Sequence, residues 1–139
     1  MKALVIGGNR FIGKQLVARL LDRHVGVTLL NRGQNQDDFG SKVRRIVLDR
    51  KSLYKNHPAL GNEKWDVVYD QVCFNATEAQ AACDAFQKRT KRYIFISSQS
   101  VYKPGEAIQE AAFDPKAYVF PSLVDQDSDY GEALSYCTG

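Results

Sequence analysis

Gly7-Gly8-Asn9-Arg10-Phe11-Ile12-Gly13 follows the apolar run Ala3-Leu4-Val5-Ile6, and a helical pattern begins directly behind it. Strand, tight turn and helix in that order aim a helix N-terminus, with its unpaired N–H groups, at an anion beyond the strand. Folds that bind dinucleotides seat a pyrophosphate there and use glycine where a Cβ would collide with it. Against the spacing G-x-G-x-x-G, Gly8 and Gly13 fit, while Arg10 stands in place of the middle glycine. The stretch alone is a weak signal, and its surroundings decide its meaning.

Working outward, Leu16 and Leu20 with Val17 and Leu21 make one apolar stripe at helical spacing, ended by Asp22-Arg23-His24. Before the turn, residues 2–8 read as a short buried parallel strand. Val25 to Leu30 reads as a second strand closing in Asn31-Arg32-Gly33, and a polar loop runs from Gln34 to Lys42. Val43 to Leu48 is a third strand ending in Asp49-Arg50. Ser52 is placed to cap a short helix over Tyr54–Leu60, which Pro58 shortens.

Trp65 to Val72 reads as a fourth strand. Asn75 with Glu78 three residues on resembles a capping box. The helix behind it carries Ala79, Cys83 and Phe86 on one face, with Lys88-Arg89 at its negative end. Tyr93 to Ile96 is a fifth strand, followed by Ser97 to Tyr102. This alternation predicts an α/β doubly wound parallel sheet, Rossmann-like, of about five strands with right-handed crossovers. Beyond Tyr102, prolines punctuate a loop-like region, and a helical pattern starts near Asp129. Residues 1–139 are thus expected to be one dinucleotide-binding domain, incomplete at its C-terminus.

Composition sets the bounds. A chain of 139 residues, 44% hydrophobic and 25% charged, is one ordinary globular domain by length. A net charge of +3 is too small to imply nucleic acid, though it leaves an acidic ligand welcome. No apolar run approaches the roughly 20 residues that span a bilayer. Met1-Lys2 leads straight into a strand pattern, which argues against a signal peptide. Cys73, Cys83 and Cys137 are odd in number and lack metal-ligand spacing, which suits reduced thiols and a cytoplasmic protein. His24 and His57 are isolated, so no metal site is expected.

Taken together, the glycine turn, Asn31-Arg32, Asp49-Arg50, Ser97 to Tyr102 and Tyr130-Gly131 resemble, in this order, the N-terminal part of the extended short-chain dehydrogenase/reductases. The resemblance is to the NAD-dependent epimerase/dehydratase group in particular. The arginine inside the turn is similar to an atypical branch that includes the plant chloroplast stem-loop-binding proteins. The resemblance implies hydride exchange between NAD(P) and a nucleotide sugar or another hydroxyl-bearing metabolite. It also implies a substrate portion after the cofactor half, of which this sequence has almost none. Family members often pair through helices flanking the serine and tyrosine segments, so a homodimer is a further implication.

Each site residue has a functional and a plainer reading. Gly7, Gly8, Asn9, Arg10, Phe11, Ile12 and Gly13 form the phosphate turn; Arg10 either lies over the pyrophosphate as a charge-assisted donor or swings into solvent. An acidic residue after strand two would bind a ribose 2′-hydroxyl and repel a 2′-phosphate. This chain has Asn31 and Arg32 there instead, which favours NADP over NAD. The resemblance places Asp49 against the adenine amino group, with Arg50 stacked on the ring; the plainer reading is a strand-end turn. Cys73 is read as a packed thiol.

For catalysis, the resemblance assigns Ser98 to hold a substrate oxygen and Tyr130 to move the proton. Family members place a lysine four residues after that tyrosine, whereas this chain has Leu134. A phenol with its ordinary pKa near 10 is a poor base at neutral pH without a nearby ammonium. Two alternatives to an active oxidoreductase follow. One is a dinucleotide-sensing or interaction module without chemistry. The other, less favoured, is RNA binding, against which the scattered Lys and Arg residues argue.

Overall fold

The computed structural model describes residues 1–97 and the isolated positions 109 and 111. Five strands, β1 (Lys2–Ile6), β2 (Gly26–Asn31), β3 (Arg44–Val47), β4 (Trp65–Asp70) and β5 (Thr90–Phe95), carry two helices, α1 (Phe11–Asp22) and α2 (Ala76–Phe86). Every neighbouring pair is parallel and the order across the sheet is β3-β2-β1-β4-β5. This is the Rossmann-like arrangement the alternation predicts.

Because strand side chains alternate, the central strand feeds two cores. Ala3 and Val5 point to one face with Val27 and Leu29, where Val17 and Leu20 of α1 cover them. Leu4 and Ile6 point to the other with Leu30 and Val68, under Ala82, Ala85 and Phe86 of α2. The chain leaves β1 toward β2 on one side and reaches β4 on the other. That reversal opens a crevice beyond the carboxyl ends of β1 and β4, the place where such sheets bind ligands.

Helix ends are built from local chemistry. At the end of α1, His24 takes a φ of 55° while its N–H and that of Val25 donate to the carbonyls of Leu21 and Leu20. This is a Schellman closure with histidine in the left-handed position. At the start of α2, the Asn75 side chain accepts from the Glu78 N–H at 2.8 Å. Glu78 reaches back to the Phe74 N–H at 3.1 Å, so the reciprocal cap lands one residue earlier than the usual box.

Three expectations need correction. In place of a helix over Tyr54–Leu60 there are two single 3₁₀ turns, Arg50–Ser52 and Pro58–Leu60. Pro58 holds His57 out of the helical region, and Asp49, not Ser52, caps the first turn by accepting from the Lys51 N–H. In α2 the buried stripe is Ala82, Ala85 and Phe86, and Cys83 faces outward. Both stripes share Phe86; the alanine pair wins because small side chains let the helix lie close on the sheet. Arg89 leaves the end of α2 and donates to the Gly61 and Glu63 carbonyls instead.

Candidate functional site

The glycine turn is folded tightly enough that side chains are excluded from it. Gly7 has a φ of +81°, and a Cβ there would lie 2.7 Å from Val72 Cγ1. A Cβ on Gly8 would sit 2.6 Å from Leu29 Cδ2, and one on Gly13 only 2.5 Å from the Gly7 carbonyl oxygen. The first turn of α1 is therefore pressed directly onto the bend. Arg10 is the extended residue before the helix and its side chain does not cap it. Phe11 is held at a φ of 44°, a conformation that costs a bulky residue roughly 1–3 kcal/mol. The first helical bond runs from Lys14 N–H to the Arg10 carbonyl, and the N–H groups of Phe11, Ile12 and Gly13 have no partner among the described residues.

These N–H groups open into a cavity of about 570 Å³ across the carboxyl ends of the strands. Gly7, Asn9, Arg10, Phe11, Ile12, Gly13, Asn31, Arg32, Asp49 and Arg50 all border it. Gly8 alone among the expected turn residues lies behind it, buried in the core side of the bend. Asn9 ties the turn to the loop after β2 by donating to the Asn35 carbonyl at 3.0 Å. Asn31 folds its own side-chain oxygen onto the Gly33 N–H at 2.9 Å.

The cations divide sharply. Arg10 and Arg32 are exposed and make no ion pair among the described residues; the Arg10 guanidinium rests 5.3 Å from the Phe11 ring centre. Lys51, which the sequence reading passed over, borders the cavity in the same unpaired state. Arg50 differs. Its guanidinium is buried and donates to Asp70 at 2.6 Å and to the Glu78 carbonyl at 3.1 Å, so it does not stand free at the strand end. Asp49 uses its carboxylate on the Lys51 N–H at 2.9 Å.

Asp70 is the residue that sequence reasoning missed. It is fully buried and accepts from Arg50, from the Tyr93 hydroxyl and from the Val72 N–H. The signal was a carboxylate closing an apolar strand, with an arginine in the turn after β3 and a tyrosine within the neighbouring β5. Burial, reinforced by the Asp70 charge, pushes the Tyr93 hydroxyl well above its ordinary value. Burial likewise raises the Cys73 thiol to about 11 despite the opposing Arg50 charge, so Cys73 is a packed and unreactive thiol.

An anion-seeking helix start, glycines that exclude side chains, unpaired cations and no carboxylate after β2 fit a dinucleotide. The model of the NAD dependent epimerase/dehydratase family matches residues 3–123. The chain belongs to that family. Its described part is the family's NAD(P)-binding, Rossmann-like domain. Over 132 residues this family member is 35% identical to the chloroplast stem-loop binding protein of 41 kDa b of Arabidopsis thaliana, covering 84% of this chain and 35% of that protein. Among solved structures, a UDP-galactose 4-epimerase superposes with a TM-score of 0.63 at 23% identity, over 83% of this chain and 45% of that one. A yeast methylglyoxal/isovaleraldehyde reductase complexed with NADPH gives a TM-score of 0.57 at 18% identity, over 74% of this chain and 39% of that one.

The chain thus spans less than half the length of these proteins, and the structural likenesses speak for the fold. Ser98, Tyr130 and Leu134 lie outside the described residues. No helix among the described residues is long and apolar enough to cross a membrane.

Proposed function

We propose that this family member binds NADP(H) in preference to NAD(H), as the cofactor half of an oxidoreductase acting on a nucleotide sugar or similar hydroxyl-bearing metabolite. The N–H groups of Phe11, Ile12 and Gly13 would hold the pyrophosphate, with Arg10 swung over it from its place at the cavity mouth. Arg32 would face the 2′-phosphate. The observation that carries this reading is the pair of unpaired guanidinium groups, Arg10 and Arg32, on a cavity with no carboxylate after β2. When bound, the nicotinamide supplies hydride acceptance and donation. Ser98 would hold the substrate oxygen and Tyr130 its proton, although Leu134 offers no ammonium to the phenol.

Titration of the full chain by calorimetry tests the reading. NADPH should bind more tightly than NADH, and Arg32→Ala should weaken NADPH about tenfold, the value of one charge-assisted contact, while sparing NADH. Absence of saturable binding by either nucleotide would end the proposal. Leu134 favours a second reading, a dinucleotide-responsive module that performs no chemistry; hydride transfer in a substrate screen would reject it. RNA binding, suggested by the name of the Arabidopsis relative, is disfavoured because Lys14, Arg44, Arg45 and Lys91 are all paired with acids of the same chain. A mobility shift with a steep salt slope would restore it.

A further inference from the structure

One buried polar atom in a residue of the cavity wall has no partner among the described residues. Among the described residues, Gln71 Nε2 is the buried side-chain nitrogen or oxygen that has no hydrogen-bond partner. Gln71 directly follows β4, and its backbone N–H donates to the Ile6 carbonyl at 3.3 Å, which fixes it in the crevice between β1 and β4. Its carboxamide lies against the first turn of α1: the oxygen is 3.1 Å from where a Cβ on Gly13 would be. The residue also borders the cavity.

A buried donor without an acceptor is unfavourable, and native proteins leave few of them unless water or a ligand completes the bond. An apolar side chain such as the neighbouring Val72 would fill this space with no such defect. The terminal torsion of glutamine is soft and nearly two-fold, so a half-turn exchanges nitrogen and oxygen without moving the backbone. Arg10 replaces the glycine that would let phosphate approach the backbone most closely. A donor on the opposite wall of the crevice would compensate for that loss.

Resting on the cofactor reading above, we propose that Gln71 is a dinucleotide-binding residue, turning its side-chain N–H to an oxygen of the pyrophosphate from the β4 side. It thereby faces the N–H groups of α1 across the same phosphate pair. The proposal predicts discrimination by ligand chemistry, because adenosine 2′,5′-bisphosphate carries the 2′-phosphate but no pyrophosphate.

Calorimetry on the full chain should show Gln71→Leu weakening NADP⁺ about ten- to a hundredfold, as expected for a lost bond to a charged acceptor. Adenosine 2′,5′-bisphosphate should bind the variant within about twofold of wild type, since the contact it lacks is the one removed. In ¹⁵N-labelled wild-type protein, the Gln71 side-chain amide signals should move on saturation with NADP⁺ and stay in place with the bisphosphate. This second measurement decides the matter if Gln71→Leu does not fold. Equal weakening of both ligands, an unchanged NADP⁺ affinity, or amide signals indifferent to NADP⁺ would overturn the assignment and leave a water-bound glutamine only. If wild-type protein binds neither nucleotide, the cofactor reading itself falls; if it binds NADP⁺ with Gln71 silent, only this inference falls.

Discussion

Two polar regions border the same cavity, and they are built on opposite plans. At the glycine turn, three helix N–H groups have no backbone partner and Arg10 and Arg32 make no ion pair among the described residues. Around Asp70, a few ångströms of sheet away, the polar groups close on one another: Arg50, Tyr93 and the Val72 N–H all converge on one carboxylate. Arg50 also donates to the Glu78 carbonyl and pairs with its carboxylate. The open region is exposed or strained and gains from a ligand. The closed region is buried and ties the turn after β3 and the middle of β5 to the end of β4. The difference is that between a site and its foundation.

Removing the foundation should have the largest effect. Asp70→Ala leaves the Arg50 guanidinium buried beside Glu78 with its main counter-charge gone, which should cost about 3–5 kcal/mol in urea unfolding. A loss below ~1 kcal/mol would mean that the cluster is solvated and the contrast with the turn is false. Gly13→Ala should come next, at about 1–3 kcal/mol, because its Cβ would meet backbone at 2.5 Å and the neighbour cannot rotate away. Nucleotide affinity should fall with it, since the first turn of α1 must lift from the bend. Arg10→Ala should sharpen the contrast: stability within about 0.5 kcal/mol of wild type, because this guanidinium is exposed and makes no ion pair among the described residues.

Much of this was legible in the sequence, for reasons that can be named. Short continuous apolar runs marked the strands because both faces of a parallel sheet are covered, and glycine spacing marked the bend because nothing else fits there. The Asn75–Glu78 cap was visible because it is local. What sequence hid was pairing over distance. Arg10, Arg32 and Arg50 look alike as letters after a turn or strand, yet only Arg50 meets a buried carboxylate, 20 residues away in sequence. The Tyr54–Leu60 segment failed because Pro58 acts on the residue before it as well as on its own N–H. Gln71 carried no signal, since its orphaned nitrogen exists only where β4 meets the first turn of α1.

The closed region also makes the subtlest prediction, a loss of stability in alkali. The Cys73 thiol, ordinarily near 9.0, is raised to about 11 by burial in the folded chain. Between those values the unfolded chain sheds a proton that the folded chain keeps, so stability is intact below about pH 9 and declines as pH rises toward 11. Tyr93, raised from 10.0, acts in the same sense and starts about one unit later. The combined decline should be on the order of 2 kcal/mol, read as a falling urea midpoint between about pH 8 and 10.5. Cys73→Ala should flatten the first part of the decline and Tyr93→Phe the second. The proposed nucleotide contacts of Arg10 and Arg32 involve neither Cys73 nor Tyr93, so affinity should hold while stability falls. Affinity and stability declining together in both variants would show that the two regions are energetically one.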